Sequence, residues 1–309
     1  MDHTQPAKHF FVHAPGGRLA ATSWGSPSPD RPTIVLVHGY PDNRSEWGPV
    51  VAHLRDFHVV AYDVRGAGES FVPASKADYR LAQLTEDFTA VINVVSPDRP
   101  VHLVTHDWGS VQGWEFATEP ALAGRIASFT SCSGPCLDHV GHWMREQVRH
   151  PSPSGLWQMG VQSVKSWYVY FFHLPWAPEA LWRGALGKHW PGLMRLLEST
   201  DIEPRATQAQ DGANGVNLYR ANFWPCVAHP RERIAHAPVQ LLVPTQDHFV
   251  SPALSADLGR WVPQLTRREV KAGHWITIKQ PEVFAAAVRE FVGSLAEPLA
   301  PLNAVGGAR

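Results

Sequence analysis

The chain has 309 residues, of which 44% are hydrophobic and 10% aromatic, so it is long enough to bury a large core. The charges of its 27 basic and 28 acidic residues nearly cancel. This balance predicts no basic surface that would bind nucleic acid or an anionic membrane. The composition is that of a globular protein and is compatible with an apolar small-molecule substrate.

The three cysteines, Cys132, Cys136 and Cys226, show neither paired nor metal-binding spacing, and their odd number argues against a disulfide framework. Residues 1–8 lack an apolar signal segment, and no apolar run has the length of a membrane span. We therefore expect a soluble, cytoplasmic protein without a metal centre or a cofactor.

Three buried strands are predicted in the first half of the chain. The first, at residues 33–37, ends in HGYPD at 38–42, and the second, at residues 59–62, ends in DVRGAG at 63–68. The third, at residues 101–104, leads into THDWGS at 105–110. Apolar strands that alternate with helical stretches indicate an α/β fold, with a mostly parallel sheet flanked by helices and active residues at the carboxyl ends of strands.

A carboxylate follows the third strand at the position where many hydrolases carry a serine. Asp107 is followed by Trp108 and Gly109, and the glycine supplies the space that a tight turn from strand to helix requires. His106 replaces the first glycine of the G-x-S-x-G motif, so the match is incomplete. A helix N-cap is the alternative role for Asp107, but capping does not explain the coincident Trp-Gly. We interpret Asp107 as a nucleophile.

The chemistry open to such a nucleophile is restricted. An aspartate has a reference pKa of about 3.9 and is therefore ionised at neutral pH without a base. Attack on an ester or amide would give an anhydride more reactive than the starting material, so a carboxylate suits the sp3 carbon of an epoxide or an alkyl halide. The product is an alkyl ester of the enzyme, and its release requires water activated by a separate base.

An acid and a histidine follow in the expected order. Asp247 lies in a polar turn after the buried run Val239–Pro244, and His274 follows a short strand predicted at residues 268–270. Nucleophile, acid and histidine in this chain order are typical of an α/β hydrolase. Asp138, which lies beyond another strand end, is an alternative acid, although Asp247 is preferred.

These motifs resemble those of the α/β-hydrolase-fold epoxide hydrolases over residues 10–295. The resemblance implies a mainly helical cap inserted between two parts of the core, with two cap tyrosines that hold the epoxide oxygen. Tyr168 matches the first of these, because Phe172 follows it by four residues, although His173 stands where the family often has glutamine. Tyr219 matches the second within the segment NLYR at 217–220, in which leucine replaces an aromatic residue.

The two phenols have a physical purpose in this family. Ring opening converts a neutral ether oxygen into an alkoxide, which needs hydrogen-bond donors placed where the charge develops. A phenol with a reference pKa of about 10 stays protonated at neutral pH and can donate to that alkoxide. Core packing is the competing explanation for any aromatic residue on a helix, and Tyr170, only two residues from Tyr168, illustrates it.

The resemblance also implies how the alkyl-enzyme is hydrolysed. Backbone N–H groups of Tyr40 and Trp108 form an oxyanion hole, and both residues contact the substrate. Water deprotonated by His274, whose ring Asp247 orients, attacks the carboxyl carbon of Asp107 and releases a vicinal diol. The predicted function is that of a cofactor-independent epoxide hydrolase.

The long separation between nucleophile and acid predicts the insertion, since a simple αβ unit needs far fewer residues. We expect residues 1–135 and 230–295 to form the core, residues 136–229 the helical cap, and residues 296–309 a flexible tail. The sequence does not decide whether the chain forms a homodimer. Core packing and an aromatic substrate pocket are equally good explanations for the tryptophans of the cap. These tryptophans are Trp157, Trp167, Trp176, Trp182 and Trp190.

Other functions are less consistent with the sequence. Haloalkane dehalogenases use the same aspartate and histidine, but their halide site usually has a side-chain donor, commonly asparagine, directly after His-Gly, where this chain has Tyr40. Fluoroacetate-type dehalogenases have arginine in place of Trp108. A non-catalytic ligand-binding protein of the same fold is opposed by the complete triad. Similar hydrolase domains occur fused to short-chain dehydrogenases, but no dinucleotide-binding fingerprint follows a strand here.

Overall fold

A computed structural model describes residues 7–295 and places a sheet of eight strands at the centre of the molecule. The strand order is β1-β2-β4-β3-β5-β6-β7-β8, in which β1 pairs antiparallel with β2, β2 pairs antiparallel with β4, and all other neighbours are parallel. The strands are β1 Ala7–Ala14, β2 Gly17–Trp24, β3 Thr33–Val37, β4 His58–Tyr62, β5 Val101–His106, β6 Ile126–Cys132, β7 Val239–Pro244 and β8 Leu265–Val270.

The central strands are buried on both faces, as their continuous apolar sequences predict. Every residue of β3, β4, β5 and β7 is buried, whereas the edge strand β8 is only partly covered. Alternate side chains enter two separate cores, because successive residues of a strand point to opposite faces. Val35 and Val37 pack in one core, and Ile34 and Leu36 pack in the other. The predicted α/β fold with a mostly parallel sheet is confirmed.

Helices cover both faces of the sheet, and among residues 7–295 none combines the length and the apolarity needed to cross a membrane. The tail predicted at residues 296–309 lies outside the described residues. The helices are α1 Gly48–Val51, α2 Leu81–Val95, α3 Trp108–Thr118, α4 Leu137–Arg149, α5 Pro153–Lys165, α6 Trp167–Phe172, α7 Ala177–Leu181, α8 Gly187–Glu198, α9 Gln208–Ala228, α10 Ile276–Lys279 and α11 Pro281–Ser294.

Six of these helices, α4 to α9, follow one another between β6 and β7, and we call residues 137–228 the helical insert. The insert is bonded to loops that follow strands of the core. The Tyr40 hydroxyl donates to the carbonyl oxygen of Gly212 at 2.9 Å, and the Asn43 amide donates to Asp211 at 3.0 Å. The insert therefore covers the carboxyl ends of the parallel strands, where the predicted active residues lie.

Candidate active site

Asp107 occupies a strained turn between β5 and α3. Its backbone has φ 50° and ψ −121°, an unusual conformation for a residue with a side chain. Two glycines permit the close packing around it, because a Cβ on Gly109 would lie 2.0 Å from the carbonyl oxygen of Val37 and one on Gly134 would lie 2.0 Å from that of Asp107. The carboxylate is directed towards Tyr40 and His274, as expected of a nucleophile turn rather than a helix cap.

Asp107, His274 and Asp247 form a chain of close contacts. His274 Nε2 lies 3.4 Å from Asp107 Oδ2, and His274 Nδ1 lies 2.9 Å from Asp247 Oδ2. The other oxygen of Asp247 accepts the backbone N–H groups of Phe249 at 2.7 Å and Val250 at 3.0 Å. The structure thus assembles the three residues that the sequence placed far apart.

The charges of this chain of contacts stabilise one another. Burial opposes ionisation of Asp247, but His274 and the two backbone donors outweigh it and lower the pKa of the carboxyl to about 2. Burial likewise opposes protonation of His274, yet the adjacent Asp247 and Asp107 carboxylates raise the pKa of its imidazole well above the usual value. The two carboxylates therefore favour the protonated form of the imidazole.

Asp138, the alternative acid, has a different partner. Its Oδ1 accepts the backbone N–H of Arg231 at 2.8 Å, and its Oδ2 accepts the guanidinium of the same arginine at 2.8 Å. Because the structure brings Asp247 to His274 and ties Asp138 to an arginine, the geometry favours Asp247 as the acid.

Of the two predicted oxyanion-hole residues, Tyr40 contacts the carboxylate and Trp108 is its neighbour in the chain. The Tyr40 N–H donates to Asp107 Oδ1 at 2.6 Å, and Trp108 directly follows Asp107 at the first position of α3. The ring of Tyr219 packs edge-on against both aromatic side chains, with centroid separations of 5.3 Å to Tyr40 and 4.7 Å to Trp108. The aspartate is therefore surrounded by aromatic groups from the core and from the insert.

Both predicted tyrosines of the insert approach Asp107. Tyr168 on α6 and Tyr219 on α9 have ring centroids 5.9 Å apart, and both line a cavity of about 100 Å³ that also contains Asp107. Burial and the negative charge of Asp107 raise the pKa of each phenol, so both remain protonated at neutral pH. Tyr170 also borders this cavity, but half of its surface is exposed and its ring contacts Trp224.

The remaining walls of this cavity are mostly apolar. They include Leu137, Val140, Met144, Met159, Phe223 and Val227. Among the described residues, the tryptophans that line it are Trp108, Trp143 and Trp224. Two of these belong to the insert, and none is among the five for which the sequence left core packing and a substrate pocket open. Trp182 and Trp190 pack against each other in the interior, whereas Trp157, Trp167 and Trp176 are exposed.

Sequence reasoning missed a buried pair behind the base. His106 Nε2 donates to the carbonyl oxygen of His274 at 2.9 Å, and His106 Nδ1 lies 2.6 Å from Glu46 Oε1. Burial opposes protonation of His106, but the Glu46 carboxylate raises the pKa of the ring above its usual value. No motif marks Glu46, which approaches the nucleophile turn only through the fold.

Sequence reasoning also missed the contacts that hold the acid loop. Lys165 Nζ donates to the carbonyl oxygen of Asp247 at 2.7 Å. The Gln162 side chain donates to the carbonyl oxygen of Phe249 at 3.1 Å and accepts the N–H of Ser251 at 3.0 Å. Helix α5 of the insert thus positions the loop that carries the acid.

Metal ligation has no evident location in the part of the chain that the structure describes. Within residues 7–295, no group of three or more histidine, cysteine or carboxylate side chains is arranged to hold a metal ion. The three cysteines are buried and have free thiols.

The sheet and its helices define an α/β-hydrolase fold. The chain belongs to the alpha/beta hydrolase fold family, whose family model matches residues 32–281. The chain is 37% identical over 313 residues to the Probable oxidoreductase EphD of Mycobacterium tuberculosis, an alignment that covers 99% of this chain and 52% of that protein. It therefore spans about half the length of that relative.

Two further similarities extend the comparison. The chain is 25% identical over 280 residues to human Epoxide hydrolase 4, in an alignment that covers 85% of this chain and 72% of that protein. A crystal structure of a Bacillus megaterium epoxide hydrolase in complex with an inhibitor superposes with a TM-score of 0.74 at 21% identity, covering 92% of this chain and 100% of that chain. This structural likeness supports the fold.

Proposed function

We propose that this chain is an epoxide hydrolase that converts a small hydrophobic epoxide into a vicinal diol through a covalent ester on Asp107. The observation that carries the proposal is that the Asp107 carboxylate and the phenols of Tyr168 and Tyr219 line one mostly apolar cavity. The names of human Epoxide hydrolase 4 and of the Bacillus megaterium structure agree with this activity. In this proposal residues 136–229 act as a cap on a core formed by residues 1–135 and 230–295.

The first half-reaction follows from the orientation of the carboxylate. Tyr40 holds Oδ1 of Asp107, so Oδ2 is the oxygen that attacks an epoxide carbon. The carbon–oxygen bond of the ring breaks as the new ester bond forms, and the released oxygen takes a proton from Tyr168 or Tyr219. Two phenols that remain protonated at neutral pH are suited to this transfer.

The second half-reaction depends on a change in charge. Formation of the ester removes the negative charge of Asp107 from beside His274, which lowers the pKa of His274 relative to the unreacted protein. His274 passes its proton to the tyrosinate left by ring opening, which makes the imidazole neutral. The neutral imidazole can then take a proton from water as the water oxygen attacks the ester carbon. Backbone N–H groups of Tyr40 and Trp108 stabilise the oxyanion that forms at Oδ1.

Breakdown of this tetrahedral intermediate completes the cycle. The ester bond breaks, the leaving alkoxide takes the proton of the carboxyl group that forms on Asp107 and becomes the diol, and the Asp107 carboxylate is restored. His274 keeps the proton that it took from water, so His274 and the tyrosine both end in their starting states. The net reaction consumes one epoxide and one water.

The covalent step can be tested by trapping the ester. We expect His274→Gln to form the ester but not to hydrolyse it, so incubation with styrene oxide should add the mass of one substrate molecule in intact-protein mass spectrometry. Wild-type protein should produce diol, and freshly purified Asp107→Asn should give neither adduct nor diol.

Two results would contradict the proposal. Diol formation by Asp107→Asn at the wild-type rate would exclude the carboxylate mechanism. Halide release from a parallel panel of haloalkanes, without diol from any epoxide, would indicate a dehalogenase that uses the same aspartate.

A further inference from the structure

A buried ion pair links the end of the nucleophile strand to the base. His106 is the last residue of β5, and its side chain and that of Glu46 are both fully buried. Glu46 Oε1 lies 2.6 Å from His106 Nδ1, and His106 Nε2 lies 2.9 Å from the carbonyl oxygen of His274. Replacing a buried ion pair with apolar side chains is often neutral for stability, so stability alone does not explain this pair.

Both ring nitrogens of His106 face oxygen atoms that accept hydrogen bonds. A backbone carbonyl has no proton to donate, so Nε2 carries one. An ionised carboxylate is likewise an acceptor, so the approach of Glu46 favours a proton on Nδ1 as well. Burial disfavours the charged ring, but Glu46 outweighs burial and raises the pKa of His106. The ring is therefore held in one orientation, as a donor to the backbone of His274.

Glu46 is itself bonded to two other parts of the site. Its Oε1 accepts the hydroxyl of Thr277 at 2.8 Å, and its Oε2 accepts the N–H of Gly39 at 3.3 Å. Thr277 lies on α10, which follows His274, and Gly39 directly precedes Tyr40, a proposed oxyanion donor. One carboxylate thus connects the loop of an oxyanion donor to the segment that carries the base.

The bond from His106 fixes the turn that contains the base. The carbonyl oxygen of His274 also accepts the N–H of Ile276 at 3.0 Å within this turn, so the bond from His106 joins the turn to the end of β5. Asp107 follows His106 in the chain, and its Oδ2 lies 3.4 Å from His274 Nε2. Two consecutive residues therefore hold the base and the carboxyl group that water must attack at a defined separation.

We propose that His106, with Glu46 as its counter-ion, is a positioning residue that holds the His274 base for ester hydrolysis. This inference rests on the proposed function, because it concerns an ester on Asp107. Formation of that ester needs the carboxylate and the phenols, whereas its hydrolysis needs a base aligned with water. Loss of the His106 bond should therefore slow the second half-reaction and leave the first largely unchanged.

Two variants isolate this bond without leaving a buried charge unpaired. In Glu46→Gln, the amide can donate to a neutral His106, whose Nε2 keeps its proton and its bond to His274. Glu46→Gln/His106→Leu removes that donor from the same uncharged background. His102→Leu is the matched control, because His102 is a buried histidine on the same face of β5 and bonds to Ser128 Oγ at 2.8 Å.

Steady-state kinetics with styrene oxide distinguish positioning from damage to the fold. When the second of two covalent steps slows and the first is irreversible, kcat and KM fall by the same factor and kcat/KM is unchanged. We expect this pattern in Glu46→Gln/His106→Leu, with kcat lowered roughly ten- to a hundredfold because the base is displaced. Intact-protein mass spectrometry during turnover should show accumulated ester in this variant, whereas Glu46→Gln and His102→Leu should behave like wild type.

A second readout does not depend on turnover. The proton between His274 Nδ1 and Asp247 Oδ2, which lie 2.9 Å apart, should give a low-field resonance in the proton NMR spectrum, assigned by its absence from His274→Gln. Displacement of the His274 backbone should shift or broaden this resonance in Glu46→Gln/His106→Leu. The resonance should keep its position in Glu46→Gln and in His102→Leu.

The inference and the proposed function fail in different ways. A wild-type level of ester or an unchanged resonance in Glu46→Gln/His106→Leu would overturn the inference, as would a fall in kcat/KM with an unchanged KM, which indicates general damage. No ester and no diol from wild-type protein with any epoxide would exclude the proposed function. The resonance would then still decide whether His106 aligns His274.

Discussion

Tyr168 and Tyr170 lie two residues apart on α6, and the structure separates them by environment. Tyr168 lines the cavity that contains Asp107, and burial and the charge of Asp107 raise the pKa of its phenol. Tyr170 is half exposed and packs near Trp224. The spacing to Phe172 suggested this choice, but only the burial of the two side chains gives it a physical basis.

We expect Tyr168→Phe to lower kcat for an epoxide by about a hundredfold, because the variant keeps the ring and loses one donor to the developing alkoxide. Tyr170→Phe is the matched control and should keep nearly wild-type kcat. Steady-state diol formation measures both. Equal losses in the two variants would indicate that ring packing, rather than proton donation, is responsible.

The charges around His274 predict a pH dependence. The base must be neutral to activate water, so hydrolysis of the alkyl-enzyme should slow as the pH falls below the pKa of His274 in that intermediate. Asp247 raises the pKa of His274, so Asp247→Asn should move this acid limb to lower pH. Single-turnover kinetics across a pH series would measure the limb, and an unmoved limb would contradict the coupling.

At the scale of elements, the nucleophile turn depends on how closely α3 approaches β3. Gly109 is the second residue of α3, and the structure leaves no room for a Cβ beside the carbonyl oxygen of Val37. The obstacle is backbone, which cannot move aside as a flexible side chain can. This contact accounts for the glycine that follows the Asp-Trp pair in the sequence.

We expect Gly109→Ala to destabilise the fold by about 3 kcal/mol, at the upper end of the usual cost of overpacking. Gly160→Ala is the comparison, because a Cβ at this position on α5 meets nothing within 4 Å. That variant should gain about 0.5–1 kcal/mol from the better helix former. Urea denaturation measures both variants, and similar stabilities would refute the packing argument.

At the scale of the whole molecule, an ionic cluster joins both ends of the insert to the core. Arg231 and Arg233 follow α9, Asp138 lies at the start of α4, and Glu115 belongs to α3. Arg231 contacts Glu115 at 3.0 Å and Asp138 at 2.8 Å, while Arg233 also pairs with Glu115. The helix that begins beside the nucleophile thus holds both connections of the insert.

We expect Arg233→Met to lower the free energy of unfolding by about 3 kcal/mol, because the buried Glu115 loses one of its two cations. Arg268→Met removes an exposed pair with Glu290 and should cost less than about 1 kcal/mol. Chemical denaturation compares them, and equal costs would show that burial of the cluster does not determine its contribution.

The sequence predicted the elements that local pattern determines. Buried strands and the residues after them were recognisable because apolar runs, glycines and polar turns are local features, and the order of Asp107, Asp247 and His274 followed from the chain. Glu46 and Gln162 were not recognisable, because their partners lie far away in sequence. The sequence also could not predict which tryptophans of the insert are buried, because burial depends on which face of each helix contacts the core.

The attachment of α5 to the acid loop has a consequence for catalysis. Lys165 and Gln162 bond to the backbone of residues 247, 249 and 251, so any movement of α5 away from the core would break three hydrogen bonds to the loop that carries Asp247. In the proposed mechanism, the alignment of His274 by Asp247 would therefore depend on the contact between α5 and this loop, and the insert would contribute to ester hydrolysis as well as to substrate binding.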